Sequence, residues 1–201
     1  MKTSSKSKLL DRRRVVGRLL EDRGDLLVVA GLGAPAWDIT AVGGDNPLNF
    51  PLWGAMGSAA MVGLGLALAR PERRVLVVTG DGEMLMGVGA LATIAVQAPA
   101  NLAVLVIDNQ HYGETGMQET HTGHGVDLAA MAAGAGIPFT ATIRGEAELE
   151  AAVPVIRGTK GPVFYVAKVK ADTLPKILPP REGAYLKDRF RVALLGDAAV
   201  L

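Results

Sequence analysis

The sequence predicts an α/β domain, a doubly wound, mostly parallel sheet with helices on both faces. Three observations predict it. Apolar runs of strand length alternate with longer helical patterns along the chain. Those runs are continuous in Val, Leu and Ile rather than alternating with polar residues, as strands buried on both faces require. The composition, with 25 glycines and only 4% aromatic residues, favours close packing of helices on a sheet over an aromatic-rich sandwich. At 201 residues the chain can bury a core without disulfide or metal staples.

The elements follow in order. Residues 1–25 are basic, and the apolar pairs Leu9/Leu10, Val15/Val16 and Leu19/Leu20 share one face at helical spacing, which predicts a surface helix. Its arginines, Arg12 to Arg14 among them, are read as solvated or interfacial. The segment has no apolar core of signal-peptide type. LLVVA (26–30) is the first strand. GLGAPA after it matches the dinucleotide pattern G-x-G-x-x-A, but Pro35 falls where a helix would open and no acidic residue ends a βαβ unit about 20 positions on. That stretch is therefore read as a loop. Residues 54–69 read as a helix, and because 51–69 carry no charge a membrane span has to be weighed. The Gly/Ala/Met-rich composition, standing among α/β units, favours a helix with an apolar interface instead.

Then come VLVVT (75–79), a helix over 84–97, LAVLVI (102–107), a helix from about 127, FTATI (139–143), a helix from about 146, and PVFYVAKV (162–169). Residues 26–170 thus form the predicted domain. The tail, 171–201, reads as either a strap over that domain or a subunit contact, with Lys187, Arg189 and Arg191 solvated or interfacial.

Charge and cysteine usage exclude whole classes. Lysine plus arginine exceed aspartate plus glutamate by one, so nothing calls for nucleic acid or an acidic membrane surface. No cysteine is present, which excludes disulfides, thiolate zinc sites, cysteine nucleophiles and iron–sulfur clusters within the chain. A cytoplasmic protein is the expectation.

Strand ends carry ligands in open parallel sheets. Here Gly80-Asp81-Gly82 closes one strand, and Asn109 closes the next, 28 residues after the aspartate. A carboxylate and a side-chain amide meeting at one sheet edge suit Mg²⁺ or Ca²⁺ shared with a phosphate. Gly82 leaves room for an anion to approach, and the following helix directs unpaired N–H groups at it. The plain alternative is a tight turn in which Asp81 caps that helix. Asn109 at this spacing weighs against it.

With "GAMGSAAMVGLGLA", "GDGEMLMGVGALATI" and "DNQHYGETGMQETHT" around it, this pattern resembles the thiamine diphosphate motif in the pyrophosphate-binding domain of the thiamine diphosphate-dependent enzymes, and most closely the phosphonopyruvate and sulfopyruvate decarboxylase branch. The resemblance implies thiamine diphosphate and Mg²⁺ as cofactors. Asp81, Asn109 and the carbonyl of His111 would hold the metal; Gly80, Gly82, Glu83, Tyr112, Gly113, Gly33 and Ala34 would lie along the diphosphate. Glu83 stands where Ser or Ala is commoner, and its charge would repel the diphosphate, so only its backbone is expected to take part. Gly54 and Met56 would seat the pyrimidine, Met56 bending the cofactor.

His111 and His121, with His124 beyond them, are candidate proton donors. Tyr112 and Gln118 are candidates to face substrate, and Gly113, Gly116, Gly123 and Gly125 suggest a mobile lid. The glutamate that activates the coenzyme belongs in this family to a pyrimidine-binding domain, so the resemblance implies a separate partner subunit, in a hetero-oligomer of α2β2 type or higher, acting on a small 2-oxo acid. Non-oxidative decarboxylation is the implied reaction. A carboligase resembling acetolactate synthase and a cofactor-binding module without turnover are the alternatives, while the missing cysteines argue against a cluster-bearing oxidoreductase.

Overall fold

The computed structural model describes residues 9–200, so the part of the predicted N-terminal segment in residues 1–8 lies outside the described residues. Six parallel strands form the main sheet: β1 Leu27–Ala30, β2 Asn49–Pro51, β3 Val75–Gly80, β4 Leu102–Asp108, β7 Phe139–Ile143 and β8 Val163–Lys168, in the order β2-β1-β3-β4-β8-β7. A separate hairpin pairs β5 His111–Tyr112 with β6 Gln118–Glu119. The helices are α1 Arg12–Leu20, α2 Ala34–Gly43, α3 Ala59–Ala69, α4 Asp81–Met86, α5 Ala90–Gln97, α6 Leu128–Gly134, α7 Glu146–Gly158 and α8 Gly183–Leu195.

Each central strand feeds two cores. Val28, Leu76, Val78 and Leu105 point to α1, α2 and α7, while Leu27, Val75, Val77 and Val104 point to α3, α5 and α6. A strand with apolar partners on both faces has no polar position left, which explains the unbroken Val/Leu/Ile runs. At the edge the pattern loosens, and β7 begins with an exposed Phe139.

Several expectations are corrected. The stretch after β1 is not a loop but the helix of a βαβ unit, α2, followed by the three-residue strand β2. Pro35 sits in the first turn of α2, where its missing N–H has no partner to lose and its fixed φ favours the helix. The helix predicted from residue 54 starts at Ala59, because Ala55 and Gly57 take positive φ in a turn before it. The helix predicted over 84–97 is two helices. Between them a Cβ on Gly87 would come within 1.9 Å of the Gly57 carbonyl oxygen, so this turn passes against backbone. Leu10 is not helical but bridges Val169, and Leu9 is exposed.

Of the basic residues read as solvated or interfacial, Arg14, Lys187 and Arg191 are exposed, whereas Arg12, Arg13 and Arg189 are largely buried. Arg12 and Arg13 both pair with Asp38, whose side chain is 0% exposed. Arg189 pairs with Asp45 and donates to the carbonyl of Asn49 at 2.6 Å. The tail runs over the domain's own surface. Arg13 donates to the carbonyl of Pro175, Trp53 Nε1 donates to that of Pro180 at 2.7 Å, and α8 seats Phe190 on Phe50 with ring centres 5.2 Å apart. No described helix is long and apolar enough to cross a membrane.

Helix α3 lies on β3 through its glycines. A Cβ on Gly63 would sit 2.1 Å from a methyl of Val77, whereas a Cβ on Gly65 meets nothing within 4 Å. Gly63→Ala should therefore destabilise the chain by about 1–3 kcal/mol through overpacking. Gly65→Ala should stabilise it by about 0.5–1 kcal/mol. Urea denaturation of both variants checks the pair, and equal effects would show that α3 does not pack so closely.

Candidate functional site

The chain leaves β1 to build β2 on one side, then returns to lay β3 on the other. Loops after β1 and β3 consequently diverge, opening a crevice at their carboxyl ends. Gly80, the last residue of β3, pairs with Ile107 of β4. That register brings Asp81 and the Asp108–Asn109 pair to one sheet edge as the two strands end. Asp81, Asn109, His111, Ala34 and Met56 all line a cavity of about 420 Å³ there.

Asp81 is 2% exposed. Its Oδ2 accepts from the hydroxyls of Thr120 and Thr122, the latter at 3.0 Å. Thr122 Oγ1 is also 2.8 Å from Oδ1 of Asp108, which is 1% exposed and paired with Lys168 through its other oxygen. A hydroxyl has one proton, so Thr122 can donate to only one of its two carboxylate neighbours. Burial pushes the Asp81 carboxyl above the usual carboxylate range; the Thr120 hydroxyl pulls it down, and the charge of Asp108 pushes it up again. Oδ1 of Asp81 takes no side-chain donor among the described residues. The cluster thus holds one carboxylate rigidly by one oxygen and leaves the other for a cation.

Asn109 is fixed by its own loop. Its Oδ1 accepts from the N–H of His111 at 3.0 Å, and its carbonyl lies 2.8 Å from Nδ1 of the same histidine. Asp81 and Asn109 supply hard oxygen donors, and no group of three His, Cys, Asp or Glu residues occurs among the described residues. A single carboxylate with an amide suits an ion that completes its shell with phosphate oxygens and water.

Helix α4 opens at Asp81 itself, not after Gly82, and its N-cap Gly80 offers no side chain to the first N–H groups. Helix α2 is likewise uncapped, with Gly33 at φ +80°. Both helices therefore open at this crevice with donors that no cap satisfies.

Glu83 is 2% exposed, and its carboxylate lies under Gly31, where a Cβ would come within 1.7 Å of it. Oε2 accepts from Thr79 Oγ1 at 2.8 Å, while Oε1 closes no hydrogen bond of normal geometry. Burial pushes this carboxyl up; the Thr79 hydroxyl and the amides of Gly57, Ala59 and Leu32 pull it down. The side chain therefore ties together the loops after β1, before α3 and after β3. Gly82 is covered by Tyr112, whose ring a Cβ would meet at 2.4 Å.

Other expected residues lie outside the cavity. Gly54 is exposed in the turn before α3, Gly33 sits behind the lining beside Glu114, and Gln118 turns back to the Thr115 carbonyl. His121 is exposed on a short 3-10 helix, and His124 pairs with Glu119 at 3.3 Å. Of the three histidines only His111 reaches the cavity. The predicted lid is the paired hairpin β5–β6. Sequence reasoning missed Thr120, Thr122 and Lys168, which carry no recognisable pattern. Asp108 was missed as well, although an acid ending an apolar strand is a signal that could have found it.

Residues 38–167 match the family model of the thiamine pyrophosphate enzyme, C-terminal TPP binding domain. The chain belongs to this family. As a thiamine pyrophosphate-binding domain it is similar to the sulfopyruvate decarboxylase subunit beta of Methanococcus maripaludis, at 35% identity over 92% of this chain and 98% of that one. The phosphonopyruvate decarboxylase of Streptomyces viridochromogenes is 38% identical over 83% of this chain, yet the match spans only 42% of that protein. Among solved structures, benzoylformate decarboxylase from Polynucleobacter necessarius shares the fold, with a TM-score of 0.66 at 20% identity over 83% of this chain and 34% of that one.

Gly82 now has two candidate reasons to lack a side chain, the Tyr112 ring and the approach of a phosphate. Gly82→Ala should weaken thiamine diphosphate binding tenfold or more, about 1.4 kcal/mol. Adding Tyr112→Ala should not restore it. Calorimetric titration of the two variants decides the matter, because full recovery in the double variant would assign the glycine to the tyrosine alone.

Proposed function

We propose that this chain is the thiamine diphosphate- and Mg²⁺-binding subunit of a two-component, non-oxidative 2-oxo acid decarboxylase of the sulfopyruvate or phosphonopyruvate type. The observation that carries this reading is the convergence of Asp81 and Asn109 on one cavity, in a chain that matches a decarboxylase beta subunit over 98% of that subunit's length. Residues 26–170 are the cofactor-binding unit and residues 171–201 its strap.

Asp81 Oδ1, Asn109 Oδ1 and the His111 carbonyl would hold Mg²⁺. The N–H groups of Gly82 and Glu83, with Gly80, Gly33, Ala34, Tyr112 and Gly113 along the way, would hold the diphosphate, while Met56 and the Gly54 carbonyl would seat the pyrimidine. Thiamine diphosphate, when bound, supplies an electron sink for the pair released as CO₂ leaves. His111 donates from Nδ1 to the Asn109 carbonyl in its neutral form, so Nε2 is the atom free to take up or return a proton beside substrate. Tyr112 and Met117 supply apolar surface to the same cavity.

No carboxylate of this chain is expected to activate the pyrimidine, so a pyrimidine-domain partner subunit would bring that glutamate. Exposed Met56 and Met86, both lining the cavity, support a docked partner, since apolar side chains gathered at a cavity rim are typical of contact surfaces. In a hetero-oligomer of α2β2 type these residues would be covered. The domain would work in the cytoplasm.

Co-expression with a pyrimidine-domain subunit, then assay of CO₂ and aldehyde from sulfopyruvate, phosphonopyruvate and pyruvate, tests the reading. Aldehyde formation is expected; an acetolactate-type product would make it a carboligase, and cofactor binding without turnover would make it a binding module. Asp81→Ala should weaken Mg²⁺-dependent cofactor binding by more than the ~10–100-fold typical of residues that only support a ligand, and Thr122→Val should fall within that range. Since Mg²⁺ binds the ionised form of a carboxyl that burial pushes up, affinity should fall as pH is lowered from neutrality through the acid range in which that carboxyl takes up its proton. Calorimetry across that window checks it, and a flat profile would remove Asp81 from the metal.

A further inference from the structure

The cavity that Asp81 and Asn109 line has further lining residues that neither the glycine motif nor the family resemblance assigns. Arg12, Trp37 and the strap residues Leu174 and Lys176 line it. The Arg12 side chain is 8% exposed, with Nε 2.9 Å from Oδ2 of the wholly buried Asp38. Arg13 takes the other oxygen of Asp38 at 3.0 Å and also donates to the carbonyl of Pro175. Two guanidinium groups therefore share one carboxylate, which leaves a net positive charge on the cavity wall.

Asp11 also acts on Asp38 by its charge, but its carboxylate caps α1 by accepting from the Arg14 N–H and is not part of the cavity lining. Lys176 lies 4.5 Å from the centre of the Trp37 ring and 3.5 Å from the Glu114 carboxylate, so these two neutralise each other. Asp172 also lines the cavity, but it is exposed to solvent. Among the described residues Asp38 is the sole charged partner of Arg12, and no hydrogen bond of normal geometry joins the buried Nε of Arg12 to a described residue. A buried guanidinium with half a counter-charge is costly unless something else satisfies it. Its planar fork of donors matches a tetrahedral oxyanion.

We propose that the cavity lining at Arg12 is a second oxyanion subsite, separate from the Asp81–Gly82 cradle, which takes a phosphate, phosphonate or sulfonate group against Trp37 with Lys176 at its rim. Such a group has two sources here, the second acidic group of the substrate or the terminal phosphate of the coenzyme. The proposal rests on the family's cofactor site but not on the reaction assigned to the complex, so binding tests it without turnover.

Full-length chain with Mg²⁺ and saturating thiamine diphosphate is titrated with methylphosphonate, alongside Arg12→Gln, which keeps the side chain's polarity beside Asp38. Binding of methylphosphonate with the coenzyme in place, weakened tenfold or more in Arg12→Gln, assigns the subsite to substrate. Competition between the two, with Arg12→Gln weakening thiamine diphosphate tenfold and leaving thiamine monophosphate unchanged, assigns it to the coenzyme. Either result upholds the subsite. Affinities for methylphosphonate and thiamine diphosphate within twofold of wild type overturn it.

Should Arg12→Gln not fold, the Trp53→Phe chain leaves Trp37 as its one tryptophan and reports directly. Methylphosphonate or coenzyme should shift the Trp37 emission, and Lys176→Ala should weaken that response. No emission change with coenzyme, or with methylphosphonate up to about 10 mM, a range covering millimolar affinities, sinks the proposal.

Discussion

The pairing of Gly80 with Ile107 across β3 and β4 is the constraint on which the rest depends. Parallel strands in fixed register deliver their next residues to the same height, so a carboxylate after one strand and an amide after the other arrive together at one sheet edge. From Val75 to Val78 and from Leu102 to Ile107 the two strands are apolar on both faces, and slipping them by one residue would turn every core side chain to the wrong face. The hydrophobic cores thus set the position of the polar site, and the threonine hydroxyls on Asp81 refine its orientation. Two buried carboxylates, Asp81 and Asp108, are tolerable there because Lys168 takes one and a cation can take the other.

How much of this was legible differs by element. The central strands were readable because burial on both faces confines their polar residues, Thr79 and Asp108, to the carboxyl ends, and the boundaries at Val75 and Leu102 agree with the apolar runs. Asp81 stood out because an acid between glycines has no packing value. Helix α2 was misread because Pro35 was taken to break a helix that it in fact begins, and β2 is too short for periodicity to register. The break between α4 and α5 depends on the Gly57 carbonyl, a contact between residues 30 positions apart that no local pattern encodes. Charge was the least legible property. Arg12 and Arg13 sit on a basic helical face that looks solvated, and only the wholly buried Asp38, on another helix, gives them a reason to be inside.

Glu83 illustrates how one departure from a pattern is absorbed. An acidic side chain beside an anion site would raise the local negative potential if it faced the ligand. Turned beneath Gly31 instead, it lies by the amides of Leu32, Gly57 and Ala59, from the segments after β1 and leading into α3, and accepts from the Thr79 hydroxyl, so the same charge organises the crevice from behind. That arrangement needs a glycine at position 31, where any larger residue would overlap the carboxylate. The two positions therefore have to be considered as a pair when either is changed.

Helix α8 lies against β2, with Phe190 on Phe50 and Arg189 on the Asn49 carbonyl. A row of backbone donors and acceptors that would otherwise be open is screened on that flank. At the opposite flank β7 pairs only with β8 and keeps its outer ladder unpaired. Any assembly that lengthened the sheet by adding a strand from another molecule would consequently grow in one direction only, outward from Phe139–Ile143, and would end after a single addition if both molecules used the same flank.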